Sequence, residues 1–168
     1  MKKTLMTGLA VLAVSSATAG AAELTRYPLP NNSTFPIAMA VEVPGGTTLI
    51  HHSGVVPSPK DTTAKKYSAA YWGDTEAQTL SVFQRLGTSI QGMGLDFGDV
   101  IKMTVFLVGD PAKGGKMDFG GFMKAYTQYF GTKEQPNLPA RSAVQVAGLA
   151  GPGMLVEIEV ILARSDAD

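Results

Sequence analysis

One arginine and two glutamates near the C-terminus carry the clearest chemistry in this sequence. They sit in Pro139-Ala140-Arg141-Ser142-Ala143-Val144-Gln145-Val146-Ala147 and Leu155-Val156-Glu157-Ile158-Glu159-Val160. Both strings alternate apolar and polar residues with period two, the pattern of half-buried strands. Met154, Val156, Ile158, Val160 and Leu162 share one face, and Glu157 and Glu159 point to the other. In the first string Arg141, Ala143 and Gln145 share a face. Paired as a hairpin across Gly148–Gly153, the two strands would put the guanidinium and both carboxylates on one sheet surface. A forked cation beside an acid suits a small anionic substrate that needs a proton moved. The competing expectation is a structural or interface salt bridge from Arg141 to Glu157 or Glu159.

Glu157 must be partly desolvated to exchange a proton near neutrality, whereas a solvated or arginine-paired glutamate would stay ionised. Glu159 reads as structural. His51 and His52 are the only histidines. As strand neighbours they face opposite sides, so they do not converge on one metal ion, and no cysteine completes a ligand set. No metal and no cofactor are expected. Ser53 lacks the context of an activated nucleophile and suits a hydrogen bond to substrate or a strand-end turn. The glycine-rich stretch 109–121 has no phosphate-loop pattern. Tyr67, Tyr71 and Trp72 suit a lid, a subunit contact or a surface packing cluster.

These residues need a scaffold, and the periodicity supplies one. Phe35–Val43 and Thr47–His52 read as strands joined by a turn at Pro44-Gly45-Gly46. A long loop covers 56–73. Asp74 or Thr75 can cap a helix whose stripe is Ala77, Leu80, Phe83, Leu86 and Ile90, with Gly92 and Gly94 as stop signals. Val100–Val108 is a central strand. A second helix starts at Met117 or Asp118, carries Phe119, Phe122, Met123, Tyr126, Tyr129 and Phe130 near one face, and ends at Gly131. The order strand–strand–helix–strand–helix–strand–strand predicts an α+β fold, a mixed sheet with both helices on one face.

Bulk properties narrow the function further. The chain has 168 residues, enough for one domain over 35–168. Residues 1–22 have the three parts of a secretory signal: Lys2-Lys3, an apolar run from Leu5 to Val14, and small residues around Ala19–Ala22. They predict export to the periplasm or medium, and no membrane anchor after cleavage. Residues 23–34 form a Pro/Asn-rich lead-in. Lys+Arg and Asp+Glu are both 14; losing Lys2 and Lys3 leaves the mature chain at about −2, a poor match for nucleic acid. Without cysteine there are no disulfides, and stability rests on packing or oligomerisation.

The combined motifs resemble the Rid family, also called YjgF or endoribonuclease L-PSP. Gly98-Asp99-Val100-Ile101-Lys102-Met103-Thr104-Val105-Phe106-Leu107 is similar to its central strand. Pro139-Ala140-Arg141-Ser142 and Val156-Glu157-Ile158-Glu159 resemble its two C-terminal signatures. Ser53-Gly54 resembles its Ser-Gly-Gln turn, with Val55 in place of the glutamine. The resemblance spans about 35–164 and implies a chorismate-mutase-like (YjgF-like) fold, a homotrimer, and ligand clefts between subunits. It also implies hydrolysis of enamine and imine acids such as 2-aminoacrylate to 2-keto acids and ammonia. On this basis Arg141 holds the substrate carboxylate, Glu157 positions or activates water, and Ser53, Gly54 and Ala143 line the pocket. Ala143 stands where many members have cysteine, Ile37 where a tyrosine is common, and Met123 where deaminases carry asparagine. These departures imply a drier pocket. The alternatives are a noncatalytic trimer that binds small ligands and, less favoured, an endoribonuclease.

Overall fold

The computed structural model describes residues 23–164; the expected signal segment, 1–22, lies outside the described residues. Strand β4, Val100–Val108, runs through the centre of a four-stranded sheet, as its near-continuous apolar run predicts. Met103, Val105 and Leu107 are fully buried, while Lys102, Thr104 and Phe106 between them are half-buried on the other face. The remaining strands are β3 (Thr48–Val55), β5 (Ala140–Val146) and β6 (Val156–Arg164), in the order β3-β6-β4-β5. β5 is parallel to β4, and β6 is antiparallel to both β4 and β3.

That order corrects the expected hairpin. β5 and β6 do not pair with each other, because β4 lies between them. Each pairs instead along one edge of β4, whose apolar row Met103, Val105 and Leu107 is fully buried.

The helices cover one face. Helix α1 is a single turn, Ala69–Trp72, within the long loop; α2 is Thr75–Gln91 and α3 is Phe119–Tyr126. Asp74 caps α2 by accepting from the Ala77 N–H at 2.9 Å. Val82, Phe83, Leu86 and Ile90 of α2 are fully buried against Phe122 and Tyr126 of α3 and the buried row of β4 and β6. Ala77 and Leu80, expected in that stripe, are half-buried on its flank. Gln78 is buried instead, and Leu155 N–H donates to its Oε1 at 2.7 Å while its amide donates to Gly73 and Gly153 carbonyls. Trp72 is buried and donates to the Pro152 carbonyl at 2.8 Å, so the aromatic cluster of the long loop packs down the loop that precedes β6.

The N-terminal lead-in is tied down by strand pairing. Strand β1, Thr25–Tyr27, pairs antiparallel with β2, Ala40–Glu42. β2 is therefore shorter than Phe35–Val43 and belongs to a separate two-stranded sheet. Arg26 fixes the ribbon by donating to the carbonyls of Gly98, Leu138 and Val100 at 2.7, 2.8 and 3.0 Å.

Candidate active site

Arg141 leaves β5 on the helix-covered face, in register with Met103, which is in register with Val160. Directly paired residues share a sheet face, so Arg141 points the same way as two core residues. Its guanidinium is walled by aromatic rings. Cζ lies 4.2 Å from the Tyr126 ring centre, 5.1 Å from Phe122, 5.4 Å from Phe35 and 5.7 Å from Phe119. Phe119, Phe122 and Tyr126 come from one face of α3, at steps of three and four residues. Phe35 comes from the segment after the lead-in, which Tyr126 secures by donating its hydroxyl to the Pro36 carbonyl at 2.8 Å.

Among the described residues no carboxylate pairs with Arg141, and its Nη1 is buried without a hydrogen-bond partner. The expected salt bridge to Glu157 or Glu159 does not form, because both glutamates lie on the opposite face. Four ring faces attract the cation at about 0.5–2 kcal/mol each, but they do not satisfy its in-plane N–H donors. Burial lowers the Arg141 pKa, and the neighbouring Tyr126 partly offsets this. Burial also pushes the Tyr126 phenol up to about 12. A half-buried cation with an unpartnered Nη1 and no counter-ion is suited to an anion that brings its own acceptors. Ala143 is in register with Val105, two residues along the same face.

The second group of candidates is on the open face. Glu157 is in register with Phe106, and Glu159 with Thr104. Between His52 and Val55 the pairing of β3 with β6 shifts, and this irregularity presents Ser53 and Gly54 beside β6. Gly54 is pressed against the Glu157 carboxylate so closely that an added methyl group would collide with it. Glycine is required there for close approach, not for an unusual dihedral. The structure thus brings Ser53, Gly54 and Glu157 together, and brings Arg141 and Ala143 together, but on opposite faces. Two strand spacings, roughly 10 Å, also separate β5 from β6.

His52 lies within 2.8 Å of the Ser89 hydroxyl on α2, and both His51 and His52 border a cleft of about 290 Å³ shared with Ser53, Lys102, Thr104 and Glu159. Ile37 lines a different cleft, of about 350 Å³, with Leu29, Phe35 and Leu138. Met123 packs against the core. Neither of these two residues is among the rings that wall Arg141. By sequence the aromatic stripe of α3 belongs to the core alone and Phe35 has no role. The spacing of Phe119, Phe122 and Tyr126 is the one signal that points to the cage.

The family model described as Endoribonuclease L-PSP matches residues 34–164. The chain belongs to this family, the Rid or YjgF family. Among curated Rid relatives, 2-iminobutanoate/2-iminopropanoate deaminase of Rattus norvegicus is 37% identical over 89 residues, 53% of this chain and 57% of that protein. The putative reactive intermediate deaminase TdcF of Escherichia coli K12 is 35% identical over 92 residues, 55% of this chain and 65% of that protein. The matched stretch therefore spans less than two thirds of these relatives. The crystal structure of E. coli TdcF with bound serine superposes with a TM-score of 0.54 at 29% identity, covering 79% of this chain and 91% of that one. A Rid protein from Yersinia pestis gives 0.61 at 22% identity over 83% and 98%, which establishes the fold alone.

Proposed function

We propose that the protein is an exported Rid-type hydrolase that converts small 2-imino and enamine acids to 2-keto acids and ammonia. The observation that carries this reading is the Nη1 of Arg141, buried with no hydrogen-bond partner within the chain. The relatives named as imino-acid deaminases support it, as does the serine, a small α-carboxylate, bound to TdcF.

The catalytic unit in this proposal is a homotrimer with composite sites. Arg141 and Ala143 of one chain meet Ser53, Gly54 and Glu157 of the next, because a single chain keeps the two groups on opposite sheet faces. The Arg141 fork holds the substrate carboxylate, and Glu157 orients a water molecule toward the imine carbon and accepts its proton. The water oxygen bonds to that carbon, the C=N π pair moves to nitrogen, and the proton held by Glu157 passes to the amine. The carbinolamine hydroxyl then gives its proton back to Glu157 as its oxygen pair forms the C=O bond and the C–N bond breaks, releasing ammonia and leaving the 2-keto acid. An enamine substrate first takes a proton at its β-carbon to become the imine. An iminium carbon is electrophilic already, so these residues supply positioning and proton transfer.

The test generates 2-aminoacrylate or an imino acid in situ and follows the loss of its absorbance. Wild type should accelerate that loss well beyond Arg141→Met; equal rates would remove the enzymatic reading for those substrates.

A second reading is a noncatalytic trimer that binds small carboxylates. It is favoured by Ile37 and Met123, which supply no polar group near Arg141, and by the position of Arg141 outside the clefts lined by His51 and by Ile37. Calorimetric binding of pyruvate without turnover of any imine would select it. The endoribonuclease reading has against it the mildly acidic mature composition.

A further inference from the structure

The cage around Arg141 has an inner and an outer part. Phe122 and Tyr126 are fully buried and form the floor. Phe35 is 40% exposed and Phe119 is half-buried, with their rings stacked at 6.4 Å between centres and inclined by 20°. The stacked pair thus keeps part of its ring surface open to solvent. Here Phe35 is an outer wall standing 5.4 Å from a guanidinium with a free donor.

We infer that Phe35 and Phe119 form a side-chain subsite that selects 2-imino acids with large apolar or aromatic side chains over the smallest ones. This rests on the deaminase reading above. A carboxylate that accepts from the Arg141 fork lies in the guanidinium plane, and its α-carbon substituent extends outward past the floor. It then meets the faces of Phe35 and Phe119. A methyl or methylene group covers little of those rings, whereas an isobutyl or benzyl group removes both its own surface and theirs from water. Polar side chains would lose their hydration against rings that offer no hydrogen bond. The lining thus separates substrates by side-chain area while Arg141 treats every 2-imino carboxylate alike.

The outer wall is held from two directions. Tyr126 anchors Pro36 through its hydroxyl, and the Asn31-Asn32 turn before it has both residues in the left-handed region, φ 58° and 53°. Phe35 is therefore set by a defined backbone path on one side and by a floor residue on the other.

The experiment uses the mature protein with imino acids made in situ by an amino-acid oxidase from alanine, leucine and phenylalanine, with semicarbazide trapping the imine that remains. Because one methylene in an apolar pocket discriminates by tenfold or more, kcat/KM for the leucine and phenylalanine imines should exceed that for the alanine imine by about tenfold or more. Phe35→Ala, an exposed position whose loss leaves the core intact, should bring that ratio toward one. A wild-type ratio at or below one, or a ratio unchanged in Phe35→Ala, overturns the subsite. If no imine is hydrolysed, the deaminase reading fails by itself and calorimetry decides the subsite. Phenylpyruvate binding about tenfold tighter than pyruvate supports it, and equal or weaker binding overturns it.

Discussion

Mixing two inactive variants should restore activity if the proposed site is shared between chains. Arg141→Met keeps an unbranched apolar side chain among the four rings and removes the charge. Glu157→Gln keeps the shape beside Gly54 and removes the base. Loss of hydrogen bonds to a charged partner costs about 1.5–3 kcal/mol, so the first variant should lose roughly 10- to 150-fold in kcat/KM. Loss of a general base costs about 100-fold or more. Within one chain, Arg141 shares a face with Met103 and Val160 while Glu157 shares the other with Phe106. In the proposed trimer each site takes its arginine from one protomer and its glutamate from the next. In a cyclic trimer assembled at random from equal amounts, half of the arginine donors and half of the glutamate donors are intact. About one quarter of the sites are then complete. Co-expression with two different affinity tags, sequential purification and the imine-loss assay would read this directly. Sequential purification keeps only mixed trimers, each with one complete site in three, so activity near a third of wild type is expected, well above either variant alone. Activity no greater than the average of the two single variants would refute the shared site.

Three other perturbations follow from the geometry. Gly54→Ala should cut kcat at least tenfold by displacing the Glu157 carboxylate, with Tm changed by only a few degrees, since the colliding atoms are the end of a flexible side chain. Arg26→Ala removes three hydrogen bonds to carbonyls and should destabilise the fold by about 2–4 kcal/mol in urea titrations, with little effect on kcat. Tyr126, raised from 10.0 to about 12 by burial, stays protonated in the fold after the unfolded chain has ionised. Its contribution is complete below pH 10 and is lost as pH rises toward 12, by ~3 kcal/mol in all. Tyr126→Phe should remove that extra alkaline loss, and identical pH–stability curves for the two proteins above pH 10 would contradict burial of the phenol as its cause.

Strand β4 and helix α2 were legible because their signals are local. A near-continuous apolar run, broken only by Lys102 and Thr104, marks a central strand, and Asp74 before an apolar stripe marks a capped start. The partner of each strand was not legible, since alternation specifies faces but not neighbours. Arg141 and Glu157 each sit in a clean alternating pattern, and each pattern is a strand in the fold. A hairpin would have joined the faces of these two residues, whereas β4 between them relates those faces through its own register. The cage was hidden for another reason. An i, i+3, i+7 aromatic stripe describes a core helix equally well, and nothing nearby in sequence announces that Phe35 will close it.

Side-chain period two makes the division of the site an all-or-none matter. Had β5 paired with β4 one residue further along, Arg141 would stand on the open face beside Thr104 and Glu159, and an internal ion pair would neutralise it. In the observed register Met103 holds that row, the carboxylates turn away, and the guanidinium is left to the aromatic rings without an anion. The same pairing that denies Arg141 an internal partner leaves Glu157, Gly54 and Ser53 facing outward on an uncovered sheet. Two incomplete halves on opposite surfaces of one small domain cannot meet by side-chain motion, because roughly 10 Å and the sheet itself intervene. A second chain can join them without moving either, so in this proposal assembly is part of the catalytic device and not only a source of stability.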